Sequence, residues 1–188
     1  MRKTQPVLLR SLCALLTMLS CTSCITIIGL TDDYNKLTDE QKLLIHEFEN
    51  EASLRNGNVY LINADELKQE LSKHEKSMVY CFTNGCSSEY CEPMNNYIDY
   101  ATQNGYKLFL VMNGFGNISS TLNQSAATPY YAIDSEFYKT KFRSKYFRMF
   151  RNELLNRDRN YKESQYEGSI YLFEGSKWVE TRRSLSKK

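Results

Sequence analysis

An α/β fold, with parallel strands joined by helices and closed by a β-hairpin, is predicted by three patterns in the sequence. Met78 to Phe82 is a nearly unbroken apolar run after a polar stretch, the pattern of a central strand buried on both faces. Tyr106 to Met112 is a second such run. Between them, Pro93 suits the first turn of a helix whose buried face is Met94, Tyr97, Ile98 and Ala101, and Gly105 stops it. These pieces make a β-α-β unit, which predicts parallel neighbours and a right-handed crossover. Near the C-terminus, Ser169 to Phe173 and Lys177 to Thr181 flank Glu174-Gly175-Ser176, a hairpin pattern.

The remaining elements follow from capping residues and periodicity. Thr38-Asp39-Glu40-Gln41 is a capping box and predicts a helix with Leu43, Leu44 and Phe48 as its apolar stripe, ending near Gly57. Val59 to Ile62 is a short strand. Asn63-Ala64-Asp65-Glu66 is a second capping box, opening a helix to about His74 with Leu67 and Leu71 one turn apart. Asn113 to Thr128 is polar and predicts a long loop with one helical turn. Tyr130 to Ile133 is a strand, and Ser135 to Asn156 a helix with Phe142, Tyr146, Phe150 and Leu154 along one face. Arg157 to Glu167 is a polar loop.

The first twenty residues carry the three parts of an export signal. Arg2, Lys3 and Arg10 are basic, Leu12 to Leu19 is apolar, and small residues precede Cys21 and again Cys24. The apolar run is about half the ~20 residues that a membrane-spanning helix needs, and Arg10 interrupts any longer one. A cysteine just past such a run resembles the lipobox of bacterial lipoproteins. The resemblance implies cleavage before Cys21, with Cys24 as the alternative, and a diacylglycerol on that sulfur, enough with a further acyl chain for stable membrane residence. The expected organisation is a signal peptide over 1–20, a lipidated N-terminus and tether over 21–36, and one globular domain over 37–188. The chain would then sit in the cell envelope, facing the periplasm or the exterior.

Composition excludes several classes. Charged residues are 24 % and aromatics 13 %, ordinary for a globular domain, and the formal net charge of +2 gives no electrostatic draw toward nucleic acid. The basic cluster Arg182, Arg183, Lys187 and Lys188 suits a solvated, frayed end. No Ser-His-Asp set, phosphate loop or nucleotide fingerprint is present, and Asn113-Gly114-Phe115-Gly116 is a turn rather than a phosphate cradle. Zinc needs about four ligands. Cys86, Cys91, His46 and His74 are the ones available, and both histidines come from polar or helical surroundings where an exposed, non-ligating role is expected, so no metal and no cofactor is expected.

Six cysteines are present. Cys13 leaves with the signal and Cys21 or Cys24 is lipidated. Cys81, within the strand, suits a buried thiol packing as a small hydrophobe. Cys86 and Cys91 lie in the loop between a central strand and the next helix, a switch-point location for open α/β sheets. A helix N-terminus there would favour a thiolate. Residues five apart on a continuous helix point about 140° apart, a poor geometry for a bridge. A pair in the loop escapes that objection. An exported compartment permits a disulfide, and the pair is open to two readings: a redox couple, or a structural bridge that pins a loop.

The stretch Val79-Tyr80-Cys81-Phe82-Thr83-Asn84-Gly85-Cys86, followed by Cys91 and a helix, resembles the active-site strand of the thioredoxin-like superfamily. The Asn63-Ala64-Asp65-Glu66-Leu67 helix start and the terminal strand-turn-strand from Ile170 to Val179 fit the same order of elements. The chain looks similar to lipoproteins of Bacteroidetes-like bacteria that join such a domain to such a signal. The resemblance implies a central mixed sheet flanked by helices and thiol–disulfide exchange with a protein partner, Cys86 attacking and Cys91 resolving. It departs from the family in its Cys-x4-Cys spacing, in having no proline near Gly168-Ser169 where a cis-proline would present backbone to substrate, and in leaving no room for a last helix. The related copper-binding pattern needs a histidine after the pair, and none follows His74. The rival expectation is a non-catalytic binding or structural envelope lipoprotein that keeps the disulfide.

Overall fold

The computed structural model describes residues 27–86, 91–124 and 128–186. The segment expected to be a signal peptide lies outside the described residues, with Cys13, Cys21 and Cys24, as do Lys187 and Lys188. Among the described residues no helix is long and apolar enough to cross a membrane.

The mixed α/β prediction holds. The chain runs α1 (Asp39–Lys42), β1 (Ile45–Glu47), β2 (Val59–Ile62), α2 (Ala64–Leu71), β3 (Lys76–Phe82), α3 (Met94–Gln103), β4 (Lys107–Met112), α4 (Ile118–Leu122), β5 (Tyr130–Ile133), α5 (Arg143–Leu154), β6 (Ile170–Glu174) and β7 (Lys177–Arg182). One seven-stranded sheet forms in the order β1-β2-β5-β4-β3-β6-β7, larger than the sheet of a thioredoxin. The first five strands in that order are parallel, and the β6–β7 hairpin adds antiparallel to β3. The β3-α3-β4 unit and the closing hairpin are therefore where the sequence puts them.

Alternation along the strands builds two cores. Val79, Cys81, Phe109, Val111, Tyr131 and Ile133 face α2 and α5. Met78, Tyr80, Phe82, Leu110, Met112, Tyr130 and Ala132 face α3 and α4. A strand with side chains buried on both faces must be apolar throughout, which is why β3 and β4 were legible as runs.

Three sequence expectations need correction. The capping box at Thr38 is real, with Gln41 N–H donating to Thr38 Oγ1, but the helix it opens ends at Lys42. Leu43 is 76 % exposed, and Ile45–Glu47 turns into an edge strand beside β2. The long helix expected from Ser135 starts only at Arg143, because Lys139 takes a left-handed conformation and Thr140 N–H closes a turn on the Ser135 carbonyl. The stripe Tyr146, Phe150, Leu154 is fully buried, whereas Phe142 caps the helix and is exposed. Third, the segment expected to be a free tether packs onto the domain from Ile27 onward. Asp32 and Asp33 are buried, and Thr31 pairs with Phe142 in an antiparallel bridge.

That N-terminal strap has a specific seat. β4 is followed by α4 on one face of the sheet and β5 by α5 on the other, so the crevice between their carboxyl ends is the topological switch point. Asp32 fills it. Its carbonyl accepts the Phe115 N–H at 2.7 Å, its N–H donates to the Lys141 carbonyl at 3.0 Å, and its carboxylate accepts Ser135 Oγ at 2.5 Å. The glycines of Asn113-Gly114-Phe115-Gly116 make room for the strap: a Cβ on Gly116 would lie 2.6 Å from Asp33 Oδ2, and one on Gly114 3.3 Å from the Asp32 carbonyl.

Candidate functional site

β3 delivers the chain to its carboxyl edge at Phe82, and the next residues are fixed by side chains rather than by helix. Asn84 is buried. Its amide donates to the Gly114 carbonyl at 2.8 Å, and its oxygen accepts Thr121 Oγ1 at 2.6 Å. Thr83 Oγ1 donates to Asn113 Oδ1. Gly85, at φ +65°, then turns the chain outward, and Cys86 emerges exposed. Cys91 is half-buried.

The two cysteines are joined as a disulfide, with Cα atoms 6.0 Å apart, within the usual range for a bridge. Helix α3 begins at Met94, three residues beyond Cys91, with Pro93 at its cap position rather than in its first turn. The pair thus lies in the loop, which removes the helix-geometry objection. It also puts both sulfurs outside the first helical turn, where dipole effects are strongest. The switch-point expectation is corrected as well: α3 and α4 follow β3 and β4 on the same face, so the cysteines stand one strand away from the switch point, which the strap fills.

A cleft of about 580 Å³ opens beside the disulfide. Tyr80, Cys81 and Phe82 of β3 form its floor, and Asn113 its edge toward β4. Phe147 of α5, Tyr166 and Ser169 of the return loop, and Arg183 just past β7 complete the walls. Sequence reasoning missed this far wall. It treated Arg182 and Arg183 as a frayed tail, but Arg182 is the last residue of β7 and donates to Tyr100 Oη at 2.6 Å, and Arg183 donates to the Tyr166 carbonyl and lies over its ring. The return loop is held by buried charge: Arg151 and Glu163 pair at 2.8 Å with both side chains 9 % exposed, and Arg157 adds Glu167 and stacks on Trp178.

Chemically, the cleft offers an exposed cysteine, aromatic walls and one guanidinium. Cys81 lines the same cleft but is a different kind of thiol. Burial pushes it up to about 12, so it stays protonated and inert at neutral pH. Tyr80, stacked on Tyr97 at 3.8 Å, is likewise pushed upward by burial. Ser169 stands where the thioredoxin resemblance expects a proline. Its N–H donates to the Arg182 carbonyl and its carbonyl accepts the Cys81 N–H, so its backbone is occupied by the protein itself.

The structure does not bring the histidines to the cysteines. His46 is on edge strand β1 against Tyr60, and His74 follows α2 with Nε2 3.6 Å from Glu51. Among the described residues, no group of three or more His, Cys, Asp or Glu is placed to hold a metal ion. Compared with family models, with curated proteins and with solved structures, the chain matches none.

Proposed function

We propose that the chain is a cell-envelope lipoprotein, anchored through Cys21 or Cys24, whose thioredoxin-like domain exchanges thiols and disulfides with a protein partner through Cys86 and Cys91. One observation carries the redox part: the bridge is exposed at Cys86 and opens onto an aromatic-walled cleft at the end of a central strand. A purely structural bridge needs no such access. In the oxidised form a partner thiolate attacks Cys86 Sγ. The Cys86–Cys91 bond breaks, Cys91 leaves as a thiolate, and a mixed disulfide forms through Cys86. A second partner thiolate then attacks the partner sulfur of that bond and releases Cys86. The partner dithiol is oxidised by two electrons, and the pair is reduced by the same two.

The test is the reduction potential of the pair together with trapping. An exchange couple has a potential well above the structural range, which lies below about −300 mV. In the reverse direction the Cys86 thiolate attacks a partner disulfide, and one partner sulfur leaves as a thiolate. Cys91 then resolves the mixed disulfide by attacking Cys86 Sγ, so Cys91→Ser should accumulate mixed disulfides through Cys86 and Cys86→Ser should accumulate none. A potential within that range, with no trapped partner, overturns the redox reading. It would leave a non-catalytic binding or structural lipoprotein, the reading favoured by Ser169, whose bonded N–H occupies the place expected for a proline.

A further inference from the structure

The strap does more than fill a crevice: it fixes where the chain leaves the domain. Asp33 takes three donors: Gly29 N–H at 2.6 Å, Lys36 Nζ at 2.6 Å and Thr31 Oγ1 at 3.1 Å. Arg143 N–H donates to the Leu30 carbonyl at 3.1 Å, and Lys36 Nζ to the Ile27 carbonyl. The Asp33 and Lys36 bonds fold the strap on itself, and the bonds of Leu30 to Arg143 and of Asp32 to Phe115, Lys141 and Ser135 tie it to the domain, so it does not swing freely.

Around that exit the surface is apolar. Ile27, Ile28 and Leu30 on the strap are 61 %, 53 % and 56 % exposed, and Phe142, bridged to Thr31, is 57 % exposed. Lys139 and Lys145 are exposed on the flanking turn and helix, with Glu136 nearby held by Lys141. Four large apolar side chains grouped at one exit point call for a covering surface.

The length of chain upstream says what that surface is. A trans peptide chain spans at most about 3.6 Å per residue. Cys24 therefore lies within about 11 Å of Ile27, and Cys21 within about 22 Å. We infer that this end of the domain rests on the bilayer, with Ile27, Ile28, Leu30 and Phe142 entering the interfacial layer and the neighbouring lysines among the headgroups. The inference rests on the lipoprotein reading, because an acyl chain on either cysteine cannot reach a membrane without bringing this patch to it. Apolar side chains at the boundary, with long cationic ones extending toward water, match the chemistry of an interfacial contact.

The experiment uses the full chain, reconstituted in zwitterionic phosphatidylcholine vesicles with brominated acyl chains. The single native tryptophan is replaced by Trp178→Phe, and a reporter is placed by Phe142→Trp or, as control, by Val179→Trp on β7, three strands from β4. Intact mass first establishes acylation. In acylated protein the Phe142→Trp emission should fall at least about twofold relative to non-brominated vesicles, and the control should hardly change. Acylated protein with equal quenching at both positions, or none, overturns the inference while leaving the lipoprotein reading intact. A blue-shifted, unquenched reporter in a dimer also overturns it, assigning the patch to a second copy. Protein without an acyl chain overturns both.

Discussion

At the scale of single residues, two thiols that border one cleft should behave oppositely. Cys81 is buried with its thiol pushed up to about 12, so at pH 8 almost none of it is thiolate. Cys86 is exposed. After mild reduction, a thiol-alkylating reagent should label Cys86 in native protein and reach Cys81 only on unfolding, as peptide mass mapping would show. Equal native labelling of Cys81 would mean that the floor of the cleft is open to solvent. A second residue-scale prediction concerns Gly116. Its backbone is not in the left-handed region, so alanine costs nothing there by conformation. The added Cβ would meet Asp33 Oδ2 at 2.6 Å and Ile28 Cγ2 at 2.7 Å. Gly116→Ala should lower stability by about 1–3 kcal/mol and raise hydrogen exchange over residues 27–36. Unchanged exchange there would deny the strap its seat on Gly116. The sequence displayed these glycines but not their purpose, because the partner that crowds them lies some eighty positions upstream.

Among the elements, those held by local signals were legible and those held by distant contacts were not. Asn63 caps α2 through the Asp65 and Glu66 N–H groups, while Glu66 returns a bond to the Asn63 N–H, just as the capping box promised. The box at Thr38 is equally well made, yet pairing of Ile45–Glu47 with β2 outweighs continuation of the helix. The strap was the largest omission: Asp32 and Asp33 look like solvated charges in sequence, but Ser135 and Lys141, brought close by the fold, satisfy Asp32, and the neighbouring Gly29, Thr31 and Lys36 satisfy Asp33 once the strap is folded. Burial by itself raises the Asp33 carboxyl, but Lys36, the Gly29 N–H and the Thr31 hydroxyl hold it below its ordinary value. A carboxylate depressed in the folded state stabilises above its unfolded pKa of about 3.9 and loses that contribution as pH falls through the folded value. Protection factors for residues 27–36 should therefore be constant above about pH 4 and fall on further acidification. Asp33→Asn should show low protection at neutral pH and no such acid step. A strap equally protected in both proteins would show that the Lys36 pairing contributes nothing.

For the whole molecule, the β-α-β unit and the hairpin could be predicted because each is closed by neighbouring segments. The insertion of β5 between β2 and β4 could not, since it depends on which strand edges are left when the chain returns. The resulting sheet, with aromatic and aliphatic cores on both faces, bears on how the disulfide should be judged. The loop it closes is short, with the cysteines five apart in sequence, and restricting so small a loop in the unfolded chain contributes only about 2 kcal/mol. That is a modest share of the roughly 5–15 kcal/mol typical of a folded domain. The Asn84 bonds to Gly114 and Thr121 hold the chain just before that loop independently of the bridge. Exchange chemistry requires both redox states to be folded, and this accounting allows it. Cys86→Ser/Cys91→Ser should therefore retain the native circular-dichroism spectrum and melt about 4–8 °C lower by calorimetry, with reduced wild type close to it. If the double variant instead unfolds near 37 °C, the bridge is a structural clamp on the end of β3, and stability rather than exchange accounts for the pair.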